Sequence, residues 1–334
     1  MTPPPTSRDA ATPSLLPGRG SLTAGLTEYV GMLVVLAGLI VTFGLLTDRF
    51  FTKTTFDMIA SQVPDATIAA VGMTFVLIIA GIDLSVGSVL ALGGAWLGVA
   101  IVEADSSVPM AIAGCLAVGL FCGLLNGLVT VAWRLPSFIV TLGMLEVARG
   151  GTMIVLDSRT AYIGSAIEPI ADARVAGLPV SFLLAVATVA VGQLVLTRTV
   201  FGRHVVAVGS SAETARLCGV NVPRVKLMVF GLCGLLASLA GVMQVSRAAS
   251  ANPNAGAGFE LETIAAVVIG GTSLMGGRGS VVRSFFGVLI IAVLTSGLAQ
   301  LGVRDPTKRL ITGAVIVAAV ILDYYRQRLK GGIA

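Results

Sequence analysis

Three ionisable side chains interrupt otherwise apolar stretches of the sequence: Asp83, Glu146 and Arg149. A charge at membrane depth is costly, so such residues mark substrate or ion paths, proton relays or contacts between helices. Glu146 and Arg149 are three residues apart, and on a helix they would share a face and neutralise each other as a structural pair. A proton relay is the alternative for this pair. We expect Asp83 to cap a helix, with a substrate or proton site as its alternative.

Two glycine-rich segments, GIDLSVGSVLALGG from Gly81 and GGTSLMGGRGSVVRSFFG from Gly270, interrupt apolar runs. Each continues as a predicted helix, and Asp83 with Ser85, or Ser273, could cap the freed amides. Broken helices at matched positions of two inverted halves indicate a translocation path, and tight packing of small residues is the alternative. Asn126, Gln193 and Gln244 can bond neighbouring helices, and of these we expect only Asn126 to line a path. The path candidates are Asp83, Ser85, Asn126, Thr272 and Ser273.

The segment 198–226 carries five basic residues and a set of helix signals. Ser210 and Glu213 have the spacing of a capping box, Gly219 can end the helix and Pro223 prevents its continuation. A helix this short does not persist alone in water, so it must rest on the protein's own surface or on a partner protein. The residues predicted to contact a partner are Ser210, Ser211, Glu213, Arg216, Leu217 and Gly219.

Motifs for catalysis are absent from the sequence. It contains no phosphate-binding G-x-x-x-x-G-K-[ST], no H-E-x-x-H and no G-x-S-x-G. The single histidine, His204, has no second ligand near it in sequence, and the four cysteines form no C-x-x-C pair. We therefore predict no catalytic residue, no metal site and no cofactor bound by this chain. If ATP drives the protein, another chain hydrolyses it.

The composition determines which elements must position these residues. Of the 334 residues, 55% are hydrophobic and 12% are charged, whereas about 25% of a soluble domain is charged. This excludes a water-soluble globule and predicts an all-α polytopic membrane protein. Because a helix needs ~20 apolar residues to cross the hydrocarbon layer, we searched for apolar stretches. Ten spans are predicted, at 29–47, 66–82, 84–102, 106–133, 135–156, 175–197, 227–246, 263–277, 284–303 and 310–322.

The distribution of charge supports an even number of spans. With the N-terminus cytoplasmic, ten spans place most Lys and Arg residues on the cytoplasmic side and most acidic residues opposite. The predicted organisation is a flexible cytoplasmic tail at 1–28, a permease domain at 29–325 with its cytoplasmic loop at 198–226, and a basic cytoplasmic tail at 326–334. Spans 2 to 5 and 7 to 10 would then form two inverted halves.

Four segments together resemble one known family. They are MTFVLIIAGIDLSVGSVLALGGAW from Met73, GLLNGLVTVAWRLPSFIVTLGMLEVARG from Gly123, GRHVVAVGSSAETARLCGV from Gly202 and AAVVIGGTSLMGGRGSVVRSFFGVLI from Ala265. They are similar to the permeases of bacterial ABC importers of the ribose, xylose and arabinose type, over about residues 55–325. The chain departs from the family around Ser210 and Ser211, where Asn is frequent, and between Glu213 and Cys218.

The resemblance implies a ten-span inner-membrane permease that works as a pair, either with a second copy or with a close paralogue. A periplasmic substrate-binding protein would deliver a monosaccharide, and a cytoplasmic ATP-binding cassette subunit would bind ATP and Mg. By this similarity the helix from Ser211 to Gly219 is the coupling helix, seated on the ATPase. The alternatives are the same machinery carrying a nucleoside, an autoinducer or a branched-chain amino acid, and an ion-coupled secondary transporter.

Overall fold

A computed structural model describes residues 20–330, and within them the chain forms thirteen α-helices, one short 3-10 helix and four two-residue strands. Of the predicted tails 1–28 and 326–334, residues 1–19 and 331–334 lie outside the described residues, whereas 20–28 and 326–330 are helical. The helices are α1 Gly20–Leu46, α2 Lys53–Ile78, α3 Val86–Val102, α4 Val108–Ala132, α5 Ser137–Val155, α6 Glu168–Asp172, α7 Val180–Arg198, α8 Val200–Ser210, α9 Ala212–Leu217, α10 Val222–Ala248, α11 Phe259–Ile269, α12 Val281–Gln300 and α13 Asp305–Lys330. The strands are β1 Ala161–Tyr162, β2 Arg174–Val175, β3 Leu178–Pro179 and β4 Ser250–Ala251.

Each of the ten predicted stretches overlaps a helix, which confirms the all-α polytopic membrane protein. Among the described residues, seven helices are long and apolar enough to cross a membrane: α1, α2, α4, α5, α7, α10 and α12. The helix α3 has 17 residues and α11 has 11, so both are shorter than a typical span. The helix α13 covers the tenth stretch. Ten spans therefore remain a prediction, and seven are supported by length and composition.

The helix α2 begins 13 residues before the predicted stretch 66–82, at Lys53 rather than residue 66. The side chain of Thr52 caps it by accepting a hydrogen bond from the Thr55 amide. The predicted stretch began only after Asp65, because an unpaired carboxylate is unfavourable in hydrocarbon. In the folded chain Asp65 forms an ion pair with Arg247 at 2.7 Å.

Connections between the helices lie at two opposite ends of the bundle. At one end β1 pairs with β4 in antiparallel register, Ala161 opposite Ala251; we call this the strand end. The helix α10 starts just after α9 and stops just before β4, and its 27 residues separate the two by about 40 Å. We call the opposite end the α9 end. A hydrogen bond from the Ile82 amide to the Ser137 hydroxyl places the α2–α3 connection beside the first residue of α5 at the α9 end.

The helices α2 and α10 form the centre of the bundle. The apolar window of α2 is 83% buried within the protein, compared with 11% for the peripheral α1. Glycines allow α4 and α10 to approach closely, because a Cβ at Gly119 would overlap the Gly234 carbonyl oxygen and a Cβ at Gly234 would overlap that of Gly119. Close approach at small residues is the usual packing of membrane helices.

Candidate functional site

The helix α9 forms in the basic loop where a short helix was predicted, but its cap differs from the prediction. Its N-cap is Ser211, whose Oγ accepts a hydrogen bond from the Thr214 amide at 3.2 Å. The predicted capping box of Ser210 and Glu213 is wrong, because Ser210 is the last residue of α8 and its hydroxyl donates to the Val206 carbonyl. The unpredicted α8 therefore shifts the cap by one residue.

The helix α9 rests on the protein through one side and exposes the other. Ala215 is buried, at 4% exposure, whereas Leu217 is 78% exposed. An exposed leucine on a six-residue helix indicates a surface that a partner can cover. All six residues predicted to contact a partner are exposed: Ser210, Ser211, Glu213, Arg216, Leu217 and Gly219.

The second glycine-rich segment contacts the end of α2, directly before the first segment, beside α8. The amide of Gly277 donates to the Ile78 carbonyl at 2.8 Å, which joins the second segment to the end of α2 just before the first. A Cβ at Gly209 of α8 would overlap the same Ile78 carbonyl, and Gly277 adopts a φ of +73° against Ser210. The helix α8, which directly precedes α9, therefore contacts both the end of α2 and the second segment.

The position of the two glycine-rich segments contradicts the prediction that they are matched breaks of two inverted halves. Equivalent positions of two inverted halves lie at opposite membrane faces, but both glycine-rich segments lie at the α9 end. They are therefore not a matched pair. With an offset of five spans, the connection 79–85 corresponds instead to 249–258 at the strand end.

The first glycine-rich segment is closed by buried hydrogen bonds. One carboxylate oxygen of Asp83 accepts from the Ser85 amide at 2.9 Å and from the Ser85 hydroxyl at 2.6 Å. The Asn126 amide group donates to the Ser85 hydroxyl oxygen at 2.9 Å. Asp83, Ser85 and Asn126 are each 1% exposed. The carboxylate therefore holds the turn into α3, although Ser85 rather than Asp83 is the N-cap residue.

The second glycine-rich segment is held by hydroxyl groups. Thr272 is 1% exposed and lies 3.5 Å from the Ser284 hydroxyl oxygen. The predicted helix cap at Ser273 is wrong, because its Oγ accepts from the Met275 amide within the loop. Ser280 is the N-cap of α12 instead. The sequence signal for Ser280 was a capping residue directly before Val281 and Val282, at the start of a largely apolar run in which Arg283 is the one charged residue.

The predicted pair of Glu146 and Arg149 is not formed. Arg149 donates to the carbonyl oxygens of Pro253 and Ala255, at 3.1 and 2.7 Å, and so anchors the connection between α10 and α11. Glu146 is exposed on α5. Carbonyl groups in a connection lack the partners that a helix provides, and the guanidinium has enough N–H donors to bond two of them.

Asp83, Ser85, Asn126, Thr272 and Ser273 line none of three cavities found among the described residues. As path residues these five stay a prediction. A cavity of about 130 Å³ lies at the α9 end, next to the first glycine-rich segment and Lys226. The other two lie toward the strand end.

The more polar of these two, which we call the outer cleft, lies between α2, α10, α11 and α12 and has a volume of about 230 Å³. Asp65 and Arg247 form an ion pair across it. Arg247 also donates to the Ser61 carbonyl at 2.9 Å, one turn before Asp65. The other polar residues that line the outer cleft are Gln62, Gln244, Glu262, Thr263 and Thr295. Its apolar lining includes Phe259, Val288 and Ile291.

A second cavity of about 280 Å³ adjoins the outer cleft and shares Gln244 with it. It extends to Ser250, Asn252 and Asn254 in the connection after α10. The side-chain oxygen of Gln244 is buried and has no hydrogen-bond partner in the part of the chain that the structure describes. Together the two cavities lead from the connection 249–258 into the interior.

Sequence reasoning missed the outer cleft because its charged residues were read as the ends of spans. Asp65 stands directly before the predicted stretch 66–82, and Arg247 directly after 227–246. One signal could have identified them. Thr52 is a residue type that caps helices. A helix that begins after Thr52 includes Asp65 and carries it into the bundle.

The family model and the similar proteins that follow are all permease components of transport systems. A family model described as "Branched-chain amino acid transport system / permease component" matches residues 55–320. The chain is 39% identical over 302 residues to the "Ribose import permease protein RbsC" of Escherichia coli (strain K12), covering 88% of this chain and 93% of that protein. It is 35% identical over 307 residues to the "Fructose import permease protein FrcC" of Rhizobium meliloti, covering 89% and 85%. It is 34% identical over 304 residues to the "L-arabinose transport system permease protein AraH" of Escherichia coli (strain K12), covering 91% and 92%. No solved structure matches.

Proposed function

The chain belongs to the family of permease components described for branched-chain amino acid transport systems, and from that premise we propose that it is the membrane subunit of an ATP-driven monosaccharide importer. The observation that best supports this proposal is the 34–39% identity, over most of the chain, to permeases named for ribose, fructose and arabinose. We place the protein in the bacterial inner membrane. It is a transport subunit, and a partner subunit hydrolyses ATP.

The proposed assembly contains four kinds of component. Two permease subunits, two copies or this chain and a close paralogue, are surrounded by lipid. A cytoplasmic ATP-binding cassette subunit, which binds ATP and Mg, docks on α9. A periplasmic binding protein delivers the sugar to the strand end. The chain itself binds no cofactor.

The proposed topology has ten spans with both termini cytoplasmic. Connections that alternate between the α9 end and the strand end support it, and so do the basic residues of the loop 198–226. The halves α2–α5 and α10–α13 are the proposed inverted repeats. The domain limits are 29–325 for the permease domain, with tails at 1–28 and 326–334.

The proposed mechanism is alternating access. Closure of the ATPase subunits displaces α9, and α8 transmits the displacement to the Ile78–Gly277 contact. Because this contact joins the end of α2 to the loop before α12, these two of the four helices that border the outer cleft move together. The cleft then opens to one side of the membrane or to the other.

The test is reconstitution of the permease with its ATPase and binding protein in liposomes. We expect ATP-dependent uptake of a monosaccharide, abolished by the double substitution Glu213→Lys and Arg216→Glu, because both exposed charges lie on α9. The control is Arg203→Glu, which changes an exposed charge on α8 outside the docking helix. Uptake that survives the double substitution would show that α9 is not the ATPase contact.

The same reconstituted preparation distinguishes the proposed function from a different cargo and from ion-coupled transport. The family description supports a branched-chain amino acid as cargo, and uptake of leucine in place of ribose, fructose and arabinose would establish it. A nucleoside or an autoinducer is tested in the same way. An ion-coupled secondary transporter would accumulate substrate when this chain alone is reconstituted under a proton or sodium gradient.

A further inference from the structure

We propose that the outer cleft, lined by Asp65, Gln244, Arg247, Glu262 and Thr295, is a transient binding site for the monosaccharide in transit. This inference rests on the proposed function and adds to it a location and a set of residues. It differs from the sequence prediction, which placed the path at the glycine-rich segments.

The first argument is the exposure of charge on helices that border the cleft. Arg247 of α10 and Glu262 of α11 are exposed, and the polar but uncharged Gln62 of α2 is exposed on the same cleft. A charged side chain that faces hydrocarbon is strongly disfavoured, and ionisable groups within spans face water-filled cavities. The rim of the outer cleft therefore opens to water.

The second argument is the chemistry of the lining. A sugar presents hydroxyl groups that both donate and accept hydrogen bonds, and a ring with apolar C–H faces. The carboxylates of Asp65 and Glu262 accept such bonds, whereas Arg247 donates them. Phe259, Val288 and Ile291 provide an apolar wall on the same cleft. A mainly apolar wall with a few placed polar groups is typical of small-molecule sites.

The third argument is Gln244, which lines both cavities of the outer half. Its side-chain oxygen is buried and has no hydrogen-bond partner within the described residues. A buried amide oxygen without a partner is unfavourable, and a hydroxyl of a passing sugar supplies the missing donor. Gln244 therefore lies where a sugar from the connection 249–258 would enter the cleft.

The fourth argument is size. The cleft volume of about 230 Å³ lies below the roughly 300–1,000 Å³ typical of pockets for drug-sized ligands. A single sugar ring is smaller than such ligands, whereas a disaccharide would exceed the space. The ion pair of Asp65 and Arg247 already satisfies much of the polar lining. The site is therefore expected to bind weakly, as release during transport requires.

The experiment uses the complete importer in liposomes, with radiolabelled D-ribose, D-fructose and L-arabinose as probes. We expect Gln244→Leu and Thr295→Val to reduce sugar imported per ATP hydrolysed by about threefold to tenfold, the factor expected for one lost hydrogen bond. Thr188→Val is the matched control, because Thr188 and Thr295 each donate to the carbonyl four residues earlier but Thr188 lies outside the cleft.

The melting temperature of each purified variant separates binding from folding. Unchanged melting temperatures with reduced import per ATP support the site. A reduction that accompanies a lower melting temperature, or equal import by all three variants and the parent, overturns it. If the parent importer carries none of the three sugars, the proposed function has failed instead.

Water access gives an independent readout. In a variant with its native cysteines replaced, Gln244→Cys should react with a membrane-impermeant thiol reagent applied from the periplasmic side, and saturating binding protein with sugar and ATP should change the rate. Absence of labelling in all states would overturn the inference, because the cleft would then be closed to water.

Discussion

The ion pair between Asp65 and Arg247 requires two residues that are distant in the sequence to meet at a buried position. Its partners are 182 residues apart, and the Asp65 side chain is 5% exposed compared with 32% for Arg247. Pro64 interrupts the hydrogen bonding of α2 one residue earlier. A buried charge is tolerated only when it is paired, so the position of α10 against α2 depends on this contact.

Removal of the arginine should destabilise the fold. In Arg247→Met, the Asp65 carboxylate stays buried without its partner, and we expect a loss of about 2 kcal/mol, less than the 3–5 kcal/mol of a fully buried pair because water reaches Arg247. Thermal unfolding in detergent measures it. Adding Asp65→Asn should recover most of the loss, and an additive double variant would contradict the direct pairing.

Gly277 is the second residue with a specific conformational role. Its φ of +73° and its contact with Ser210 leave no space for a Cβ. We expect Gly277→Ala to introduce about 1–2 kcal/mol of backbone strain and to reduce ATP-driven uptake several-fold at an unchanged amount in the membrane. Gly143→Ala is the control, since no atom lies within 4 Å of the added Cβ. Equal uptake by both variants would contradict the role of this contact.

At the scale of elements, α9 is stable only in its context. Six residues are too few for an independent helix, so the helix depends on the Ser211 cap, on the turn at Gly219 and on the buried Ala215. The preceding α8 determines where α9 can begin. For this reason local sequence signals located the helix correctly but assigned its cap to the wrong serine.

The assignment of the cap can be tested directly. Ser211→Ala removes the acceptor of the Thr214 amide, and we expect a loss of about 1 kcal/mol of helix stability. Hydrogen exchange of the amides in 212–217 should then become several-fold faster. Ser210→Ala should leave their exchange unchanged, because that hydroxyl bonds within α8. Faster exchange in the second variant alone would restore the original capping box.

At the scale of the whole molecule, the two ends of the bundle have different surfaces. The α9 end carries an exposed helix and basic residues, whereas the strand end carries the connection 249–258 that Arg149 anchors. This asymmetry is expected for an importer that meets a binding protein on one side and an ATPase on the other. It is also the basis for the orientation that we propose.

The orientation can be tested with cysteine labelling. Cys218 is exposed on the loop that follows α9, while Cys115, Cys122 and Cys233 are buried. A membrane-impermeant thiol reagent should therefore label the parent protein only after cells are permeabilised. Asn254→Cys, at the strand end, should be labelled in intact cells. The opposite pattern would invert the topology.

The helices that overlap the ten apolar stretches, and the class of protein, could be predicted from the sequence. A membrane span is determined locally, because hydrocarbon requires an unbroken apolar run and cytoplasmic loops retain basic residues. The four family segments likewise need no long-range contact to be recognised. Boundaries failed at charged residues such as Asp65, whose partner lies far away in the sequence.

Only the tertiary structure placed Asp65, Arg247 and Glu262 around one cleft, paired Arg149 with carbonyl groups instead of Glu146, and brought both glycine-rich segments to the same end. These outcomes depend on which helices pack together. Packing is decided by the fit of whole helix surfaces, with glycines such as Gly119 and Gly234 setting the closest approach. A linear pattern carries the period and length of each helix, but it does not contain the identity of its neighbours.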